Sequence, residues 1–444
     1  MSQDTESSGI SSYLMKSLGI SRDEFAAVAW SFAYFFCILS AYYMLRPIRD
    51  AMAIDSGVST IPWLFTGTFA VMVIVAPVFG WIASRFPRKQ FLPWVYYFFV
   101  SNILIFYIAF SVAEKQMLDQ IWIGRAFFVW LSVFNLFVVT VFWSFMADIY
   151  SKEQSRRLFG VISAGGSTGA ILGPTITGAL VIPVGFQYLL PISALLLLAG
   201  VYCIYRLRHW VSQQERHANS DTIESGKSIG GSAFEGMLLV FRKPYFGMIA
   251  FALLLANFVG VFTYTYLLEL VSITFEGTDR HTQVLAWIDA VINVFSFIGQ
   301  LVLVKIFVRK IGVGYTLALL PIVSAIGFAL LALNPVFIIM AVLQILRRSL
   351  TFGLSKPTND MLYSVVSTEE KYKVKNFIET AIYRSGDVIG AWSIRFLSGI
   401  GITGTAIICI PIAIAWAALS FRIGREYRRL DNLTDLDPAP TSDT

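Results

Sequence analysis

Six arginines lie inside or at the ends of long apolar segments, where charged side chains are rare and usually functional. They are Arg46, Arg49, Arg125, Arg347, Arg348 and Arg384. A guanidinium group keeps its charge and presents a planar fork of donors, which suits bidentate binding of a phosphate or a carboxylate. The pattern therefore predicts a binding site for an organic anion. The alternative is that these arginines form internal salt bridges.

The segment from Leu343 to Asp387 concentrates more charge within apolar sequence than any other part of the chain. If its first helix enters a membrane near Val336, Arg347 and Arg348 lie about 16 to 18 Å along it, close to the bilayer midplane. Each arginine at that depth costs on the order of 2.5 to 3.5 kcal/mol, so a partner or a bound anion has to compensate.

Neighbouring residues on a helix point about 100° apart, so only one of these two arginines faces a cavity squarely. The other is expected to pair with Glu379 or Asp387. Pro357 is expected to end the first helix, because its ring disfavours a helical conformation of the residue before it. A second helix is expected to start near Asn376 and to place Arg384 and Asp387 on one face.

Acidic residues and loop arginines are the expected groups for coupling and gating. They are Asp50, Asp148, Asp289, Glu379, Asp387, Arg85 and Arg88. The excess of arginine over acid in the apolar segments is small, so internal pairing could consume most of it. Asp289 has no obvious partner nearby in the sequence, and a lone buried acid is the usual proton carrier. Proton coupling and the exchange of one anion for another both stay open.

The seventh apolar segment has a polar and aromatic character. Asn257, Tyr264 and Tyr266 lie in it and could hydrogen-bond a solute and stack on a ring. The alternative is that the tyrosines belong to an interfacial belt, since aromatic residues make up 15% of the chain.

The composition is that of a polytopic membrane protein. Of the 444 residues, 56% are hydrophobic and 14% are charged, and the mean hydropathy is +0.68. These values exclude an ordinary soluble protein of this length. The cysteines lie in apolar segments and the histidines are scattered, so neither disulfides nor a metal site is predicted. No cofactor is predicted either.

Twelve apolar segments are long enough to cross a bilayer as helices, which predicts an all-α fold. They are 25–47, 61–83, 91–113, 122–147, 158–181, 187–208, 245–268, 282–306, 313–333, 336–356, 376–399 and 403–423.

Basic residues are concentrated in alternate loops. Most of the 34 lysines and arginines share one side, whereas the loops of the other side hold only Lys115 and Arg280. The positive-inside rule then predicts that both termini are cytoplasmic. Topology and contact with membrane lipid thus account for the net charge of +6, and no nucleic-acid partner is predicted.

A polar stretch rich in serine and glycine divides the apolar segments into two sets. The predicted parts are a cytoplasmic N-terminus (1–24), an N-terminal six-helix bundle (25–208), a cytoplasmic linker (209–244), a C-terminal six-helix bundle (245–423) and a cytoplasmic tail (424–444). A central cavity between two such bundles is the expected product.

Two loops resemble a signature of the major facilitator superfamily. The first, GWIASRFPRK after the second span, contains Gly80, Arg85, Arg88 and Lys89, and a degenerate copy follows the eighth span. The resemblance implies that helices one, four, seven and ten line the transport pathway. Ser84 and Pro87 depart from the family pattern, so the gate is expected to be built differently, with Asp148 as a candidate partner.

The fifth span carries GGSTGAILGPTITG, which resembles the glycine-proline motif of antiporters in the superfamily. Small residues spaced four apart allow helices to approach closely, and proline bends a helix. Packing alone would select the same residues, so the motif is weak evidence for exchange.

Three further stretches resemble the ATP/ADP antiporters of plastids and intracellular bacteria. They are the region of Leu45, Arg46, Arg49 and Asp50, the segment FWSFMAD with RRLFG downstream, and SKPTNDMLYSVVSTEEKYKVKNFIET. The resemblance implies nucleotide exchange. Several substrate-site residues of that family are different here, however. Phe65 is near one lysine position, and Glu269 is the sole charge in 263–269. Lys356, Asn359 and Asp360 stand where the family has aspartate, lysine and glutamate.

The arginines and the resemblance together predict a secondary active transporter that moves a phosphorylated or carboxylated organic anion by alternating access. One alternative is a proton-coupled transporter of another solute, such as a peptidoglycan fragment or a siderophore. Another is a membrane receptor or a lipid-handling protein. No enzyme is predicted, because no nucleophile, base and orienting group occur at a recognisable spacing. A multi-pass monomer of the inner (plasma) membrane is expected.

Overall fold

The computed structural model describes residues 20–85, 88–217 and 233–436. Throughout these residues the backbone is helical apart from short connections, and they contain no strand. A bilayer favours such helices, because each backbone N–H and C=O then finds its partner within its own segment. The predicted all-α fold is confirmed.

The helices follow the predicted spans closely. In the first half of the sequence they are α1 (Arg22–Asp55), α2 (Ile61–Arg85), α3 (Arg88–Lys115), α4 (Ile121–Ile149), α5 (Lys152–Val184) and α6 (Phe186–His217). In the second half they are α7 (Ala233–Arg242), α8 (Pro244–Thr274), α9 (Thr278–Ile298), α10 (Val304–Ile311), α11 (Val313–Leu333), α12 (Phe337–Leu350), α13 (Lys356–Met361), α14 (Thr368–Phe377), α15 (Tyr383–Leu397) and α16 (Gly401–Leu436). Short 3-10 turns occur at Val58–Thr60 and Ser398–Ile400, and π-helical segments at Gly299–Leu303, Thr351–Ser355 and Ile378–Ile382.

Within the described residues, eleven helical segments are long and apolar enough to cross a membrane. The last of them, Tyr383–Leu433, covers most of the two final predicted spans. These spans meet at the 3-10 turn Ser398–Ile400 and at Gly401, whose φ of +68° favours glycine. The count of twelve spans and the cytoplasmic location of both termini stay predictions.

The helix that carries the paired arginines does not end at Pro357, contrary to the prediction. It continues through the π-helical segment Thr351–Ser355 into α13, which ends at Met361. Proline donates no N–H, and an i→i−5 bond from this position would have reached the carbonyl of Phe352. That carbonyl instead accepts a hydrogen bond of 3.1 Å from Nε2 of Gln300. A side chain from a neighbouring segment thus satisfies the carbonyl.

The next helix begins at Thr368, earlier than the predicted Asn376. Ser367 caps it, with its hydroxyl accepting a hydrogen bond of 3.3 Å from the backbone N–H of Glu370. Acidic residues in the first turn also suit the positive end of a helix. Because this start is polar, a search for apolar spans missed it.

The described residues divide into two compact units. The first lies within Met1–Ser56, Ala70–Ser225 and Gly277–Ala290, and the second within Gly57–Phe69, Gly226–Glu276 and Val291–Thr444. Each unit therefore includes one short segment from the other half of the sequence. The division into bundles at 25–208 and 245–423 stays a prediction.

Part of the predicted linker 209–244 is helical. α6 extends to His217, and α7 occupies Ala233–Arg242. Residues 218–232 lie outside the described residues, as do most of the predicted N-terminal segment 1–24 and the end of the predicted tail 424–444.

The core of the first unit is built around α1, which packs against α4, α5 and α6. Gly165, Gly169 and Gly173 of α5 face the α1 backbone without an intervening side chain. A Cβ atom added at Gly173 would lie 2.6 Å from the carbonyl oxygen of Ser40. The glycine motif of the sequence thus has a direct packing role.

We expect Gly173→Ala to destabilise the folded protein by about 1 to 3 kcal/mol, because the new methyl group overlaps the α1 backbone. Gly160→Ala is the matched control, since a Cβ at Gly160 in the same helix meets no atom within 4 Å. Thermal unfolding of both purified variants in detergent measures the difference. Equal midpoints for the two variants would contradict this interpretation of the packing.

In the second unit α8 packs against α12, α15 and α16. α11 and α16 cross at Gly314 and Gly424, where a Cβ atom on Gly314 would lie 2.9 Å from the Cα atom of Gly424. Small residues at this crossing let the two helices approach closely. The arrangement fixes α8, α12 and α15, which carry most of the predicted site residues of the second half.

Candidate functional site

The six predicted arginines are divided equally between the two units. Arg46, Arg49 and Arg125 belong to the first unit, and Arg347, Arg348 and Arg384 belong to the second. A common chamber for all six arginines stays a prediction.

Arg46 forms an ion pair with Asp289, and both side chains are buried. Its Nη1 atom lies 3.4 Å from Oδ2 of Asp289, and the two side chains are 11% and 6% exposed. The sequence shows no partner for Asp289 nearby, and the structure places its partner far away along the chain. The pair joins α1 to α9 across more than half of the sequence, so no local pattern could reveal it.

Arg49 is also paired with a carboxylate. Its Nε and Nη2 atoms donate to the same oxygen of Asp50, over 2.9 and 2.7 Å. The guanidinium carbon lies 4.9 Å from the ring centre of Phe128 in α4, in a cation-π contact. The alternative of internal salt bridges therefore describes both arginines of α1.

Arg125 of α4 has a different environment. It is half-buried, and its guanidinium carbon lies 4.6 Å from the ring centre of Trp122. Among the described residues it forms no ion pair, and its Nε atom has no hydrogen-bond partner there. The guanidinium group of Arg125 thus contacts an aromatic face rather than a carboxylate of the described residues.

Arg347 is the most buried cation of the second unit's candidate site. The residue is 8% exposed, and its Nη2 atom donates to Oε1 of Gln344 over 3.3 Å. Its Nε atom has no hydrogen-bond partner in the described chain, and no carboxylate there lies within ion-pair distance. Gly260 of α8 leaves room for it, since a Cβ there would be 3.4 Å from Nη1.

Gln344 and Gly260 were missed by the sequence analysis. Gln344 carried a usable signal, because it is a polar residue three positions before Arg347 on an otherwise apolar helix. Gly260 carried none, since glycines are common in membrane helices.

The other acids predicted to pair with the α12 arginines have nearer partners. Oδ2 of Asp387 lies 4.0 Å from Nη1 of Arg384, so the expected i,i+3 contact is confirmed. Glu379 lies 3.8 Å from Nζ of Lys375. The predicted pairing is therefore not made by Arg347. The guanidinium carbon of Arg348 lies 5.7 Å from the ring centre of Phe352.

Lys375 of α14, which lies outside the membrane-spanning segments, is held between two acids. Its Nζ atom lies 2.7 Å from Oδ1 of Asp360 and 3.8 Å from Oε1 of Glu379. Burial lowers the pKa of Lys375, but the hydrogen bond and charge of Asp360 and the charge of Glu379 outweigh it, so the pKa is raised overall. The lysine stays charged and ties α13 to α14.

Two π-helical segments flank these arginines. Thr351–Ser355 follows Arg347 and Arg348, and Ile378–Ile382 precedes Arg384. A π turn holds more residues than an α turn, so it rotates the side chains beyond it about the helix axis. The direction in which Arg384 points thus depends on a feature that hydrophobic periodicity does not reveal.

The predicted polar and aromatic residues of α8 differ in their use. Asn257 is buried and donates to the carbonyl of Tyr383 over 3.0 Å. Tyr266 is buried, with its hydroxyl 2.9 Å from that of Thr405. Tyr264 stacks on Phe65, with ring centres 5.8 Å apart. The polar atoms of Asn257 and Tyr266 are thus bonded to residues of α15 and α16.

The predicted gating residues lie at helix ends. Asp148 is exposed near the end of α4, and Arg85 is exposed at the end of α2. The side chain of Arg88 lies outside the described residues. A salt bridge between Asp148 and the loop arginines stays a prediction.

Similar proteins agree with this architecture. A family model for the Major Facilitator Superfamily matches residues 30–391. ADP,ATP carrier protein 2 of Chlamydia pneumoniae is 22% identical over 92% of this chain and 90% of that protein. Multidrug resistance protein 2 of Bacillus subtilis (strain 168) is 26% identical over 71% of this chain and 76% of that protein.

Solved structures show the same fold at low identity. A bacterial homologue of the iron transporter ferroportin in an inward-facing state has a TM-score of 0.62 and 11% identity, over 91% of this chain and 98% of that chain. A mutant of the peptide transporter POT in complex with sulfate has a TM-score of 0.62 and 13% identity, over 90% and 95%. The apolar helices, the matched family and the bacterial relatives together identify a multi-pass transporter of the inner membrane that acts on small molecules. The chain belongs to the major facilitator superfamily.

Proposed function

We propose that this protein is a secondary transporter of an organic anion that carries a phosphate or a carboxylate group, and that it works by alternating access. The observation that carries the proposal is Arg347, a buried guanidinium that no carboxylate of the described chain balances. Arg348 and Arg384 lie on the same unit, one beside it and one on α15. These three arginines form the proposed substrate site.

The energetics support this proposal over a purely structural role. An uncompensated arginine inside a membrane helix costs on the order of 2.5 to 3.5 kcal/mol on the insertion scale. A protein that needed only packing at this position would do better with an apolar residue. A bound anion would supply the missing partner, and the arginine fork would then bind it with two hydrogen bonds.

The four charges of α1 and α9 have a different proposed role. Arg46 and Arg49 are already paired with Asp289 and Asp50, so we assign them to holding the helices rather than to the substrate. Asn257 and Tyr266 are likewise left out of the proposed site, because their polar atoms bond to neighbouring helices. Tyr264 remains a candidate for stacking on a ring of the substrate.

Nucleotides are one candidate substrate, since relatives of this chain are named ADP,ATP carriers. Against nucleotides stand the altered residues: α8 retains only Glu269 as a charge in residues 263–269, and Lys356, Asn359 and Asp360 stand where the resembled family has aspartate, lysine and glutamate. The relative named for multidrug resistance gives no support to an anion. The proposal is therefore an organic anion, with nucleotide exchange as one form of it.

The test is uptake of radiolabelled anions into proteoliposomes, preceded by a thermal-shift screen of the purified protein. The screen covers nucleotides, sugar phosphates, carboxylates and peptidoglycan fragments, because a ligand of the folded state raises its apparent stability. We expect at least one anion to stabilise the protein and to be taken up. An internal load of the same anion should accelerate uptake by an exchanger, and a proton gradient should accelerate uptake by a proton-coupled carrier. Absence of uptake for every anion would favour a receptor or lipid-handling protein.

A further inference from the structure

α7 is too short to cross a bilayer, but it ends just before a helix that is long and apolar enough to do so. Only Lys243 separates its last residue from Pro244, which begins the membrane-spanning α8. At ~1.5 Å per residue, the 10 residues of α7 reach about 15 Å from the start of α8 at most. The helix therefore lies within reach of the lipid headgroups.

One face of α7 exposes large apolar side chains beside a basic one. Leu238 and Phe241 are 46% and 79% exposed, and their i,i+3 spacing places them on the same face. Arg242 is exposed four positions after Leu238, so it lies at the edge of this face. We call these three residues the α7 surface.

The opposite face of α7 packs against other helices of the second unit. Val240 is buried in a cluster with Tyr245 of α8 and Val374 of α14. Lys243 forms an ion pair with Glu370 at the start of α14. The helix is thus anchored on its inner side, and the α7 surface has a defined outward direction.

We propose that the α7 surface lies in the headgroup region of the bilayer and binds phospholipid. Leu238 and Phe241 contact the acyl chains near the glycerol backbone, and Arg242 binds the lipid phosphate. An amphipathic helix with aromatic and aliphatic residues on one side and a basic residue at the edge suits this location. Among the described residues Arg242 has no ion pair, so its charge is available to a phosphate.

Continuity with the spanning helix favours lipid over other occupants of the surface. α8 exposes Phe251 further along the same polypeptide, as expected of a lipid-facing helix. An aromatic side chain as exposed as Phe241, three residues before a helix able to span a membrane, would otherwise expose its apolar surface to water, which is unfavourable. A basic residue is attracted to a surface that contains anionic phospholipid.

The experiment places a polarity-sensitive fluorophore on single cysteines of the full chain, in a background where Cys37, Cys203 and Cys409 are replaced by alanine. The variants are Phe241→Cys and the control Glu369→Cys, an exposed position on α14. Both are reconstituted in nanodiscs of phosphatidylcholine and phosphatidylglycerol. Quenching is measured with iodide in water and with a lipid that carries a nitroxide near its headgroup.

We expect the label at position 241 to be quenched at least threefold more by the nitroxide lipid than the label at position 369, and the label at 369 to respond to iodide. Strong iodide quenching at 241 would overturn the proposal, because the surface would then face water. Quenching by neither agent would overturn it too, because the surface would then be covered by protein, either another part of this chain or a second copy.

A second measurement avoids the cysteine-free background. Native mass spectrometry of the otherwise unchanged protein counts the phosphatidylglycerol molecules retained in mild detergent. Arg242→Gln is expected to lower that count by at least one relative to the natural sequence, whereas Arg280→Gln, at an exposed position far from α7 in the sequence, is expected to leave it unchanged. Equal retention by the Arg242 variant and the natural protein would contradict phosphate binding by this residue.

Discussion

Replacing Arg347 by alanine is expected to reduce anion uptake into proteoliposomes by roughly 10- to 100-fold. Loss of a hydrogen bond to a charged group costs about 1.5 to 3 kcal/mol, and each 1.4 kcal/mol is about a factor of ten in affinity. The same change should leave the thermal stability of the unliganded protein unchanged or higher, because it removes a buried charge without a carboxylate partner. A loss of uptake without a loss of thermal stability identifies a binding role for Arg347.

Two variants serve as controls for this result. Arg347→Lys keeps the charge but loses the planar fork, so its uptake should lie between those of the alanine variant and the natural protein. Arg425→Ala removes an exposed arginine near the end of α16 and should transport normally. Arg384→Ala should act in the same direction as Arg347→Ala but less strongly, because Arg384 is partly exposed and lies beside Asp387. Full uptake by the Arg347→Ala variant would contradict the proposed substrate site.

Replacing Asp289 by asparagine is expected to lower stability sharply. The change leaves Arg46 buried without its carboxylate, and breaking a buried ion pair from one side costs about 3 to 5 kcal/mol. The double variant Arg46→Met with Asp289→Leu removes both charges and should recover most of that loss. Thermal unfolding of the natural protein and of both variants in detergent measures the loss of stability and how much of it the double variant recovers.

Uptake by the double variant then separates the two forms of energy coupling. If the protein exchanges one anion for another, the double variant should still transport, because no proton carrier is needed. If Asp289 carries a proton, the double variant should be stable and inactive. A single Asp289→Asn variant that is as stable as the natural protein would show that the pair contributes little to the fold.

Much of the fold could be read from the sequence because apolar segments of sufficient length form helices in a bilayer. Ile121–Ile149 and Val313–Leu333 begin and end close to the predicted boundaries. Predictions of helix boundaries failed where hydrophobicity does not mark the boundary. The start of α14 at Thr368 was missed because its first turn is polar, and Pro357 was taken as a stop because the π segment before it has no signature in a single sequence.

The candidate site was predictable in its components but not in its pairings. The arginines stood out because charge is rare in apolar segments, and the contact of Arg384 with Asp387 followed from helix spacing. The contact of Arg46 with Asp289 did not, because it depends on which faces of α1 and α9 meet. Because the sequence does not reveal that contact, Arg46 and Arg347 look equivalent in it.

By itself, the sequence determined that this chain is an all-α membrane protein with arginines placed in apolar helices, because hydrophobicity and length decide which segments can enter a bilayer. Only the tertiary structure decided which of those arginines are already neutralised. Arg46 and Arg49 have carboxylate partners, whereas Arg347 has the amide of Gln344 and packs beside Gly260. The physical reason is distance: an ion pair forms only where opposite charges lie within about 4 Å of each other, and helix packing decides which groups come that close.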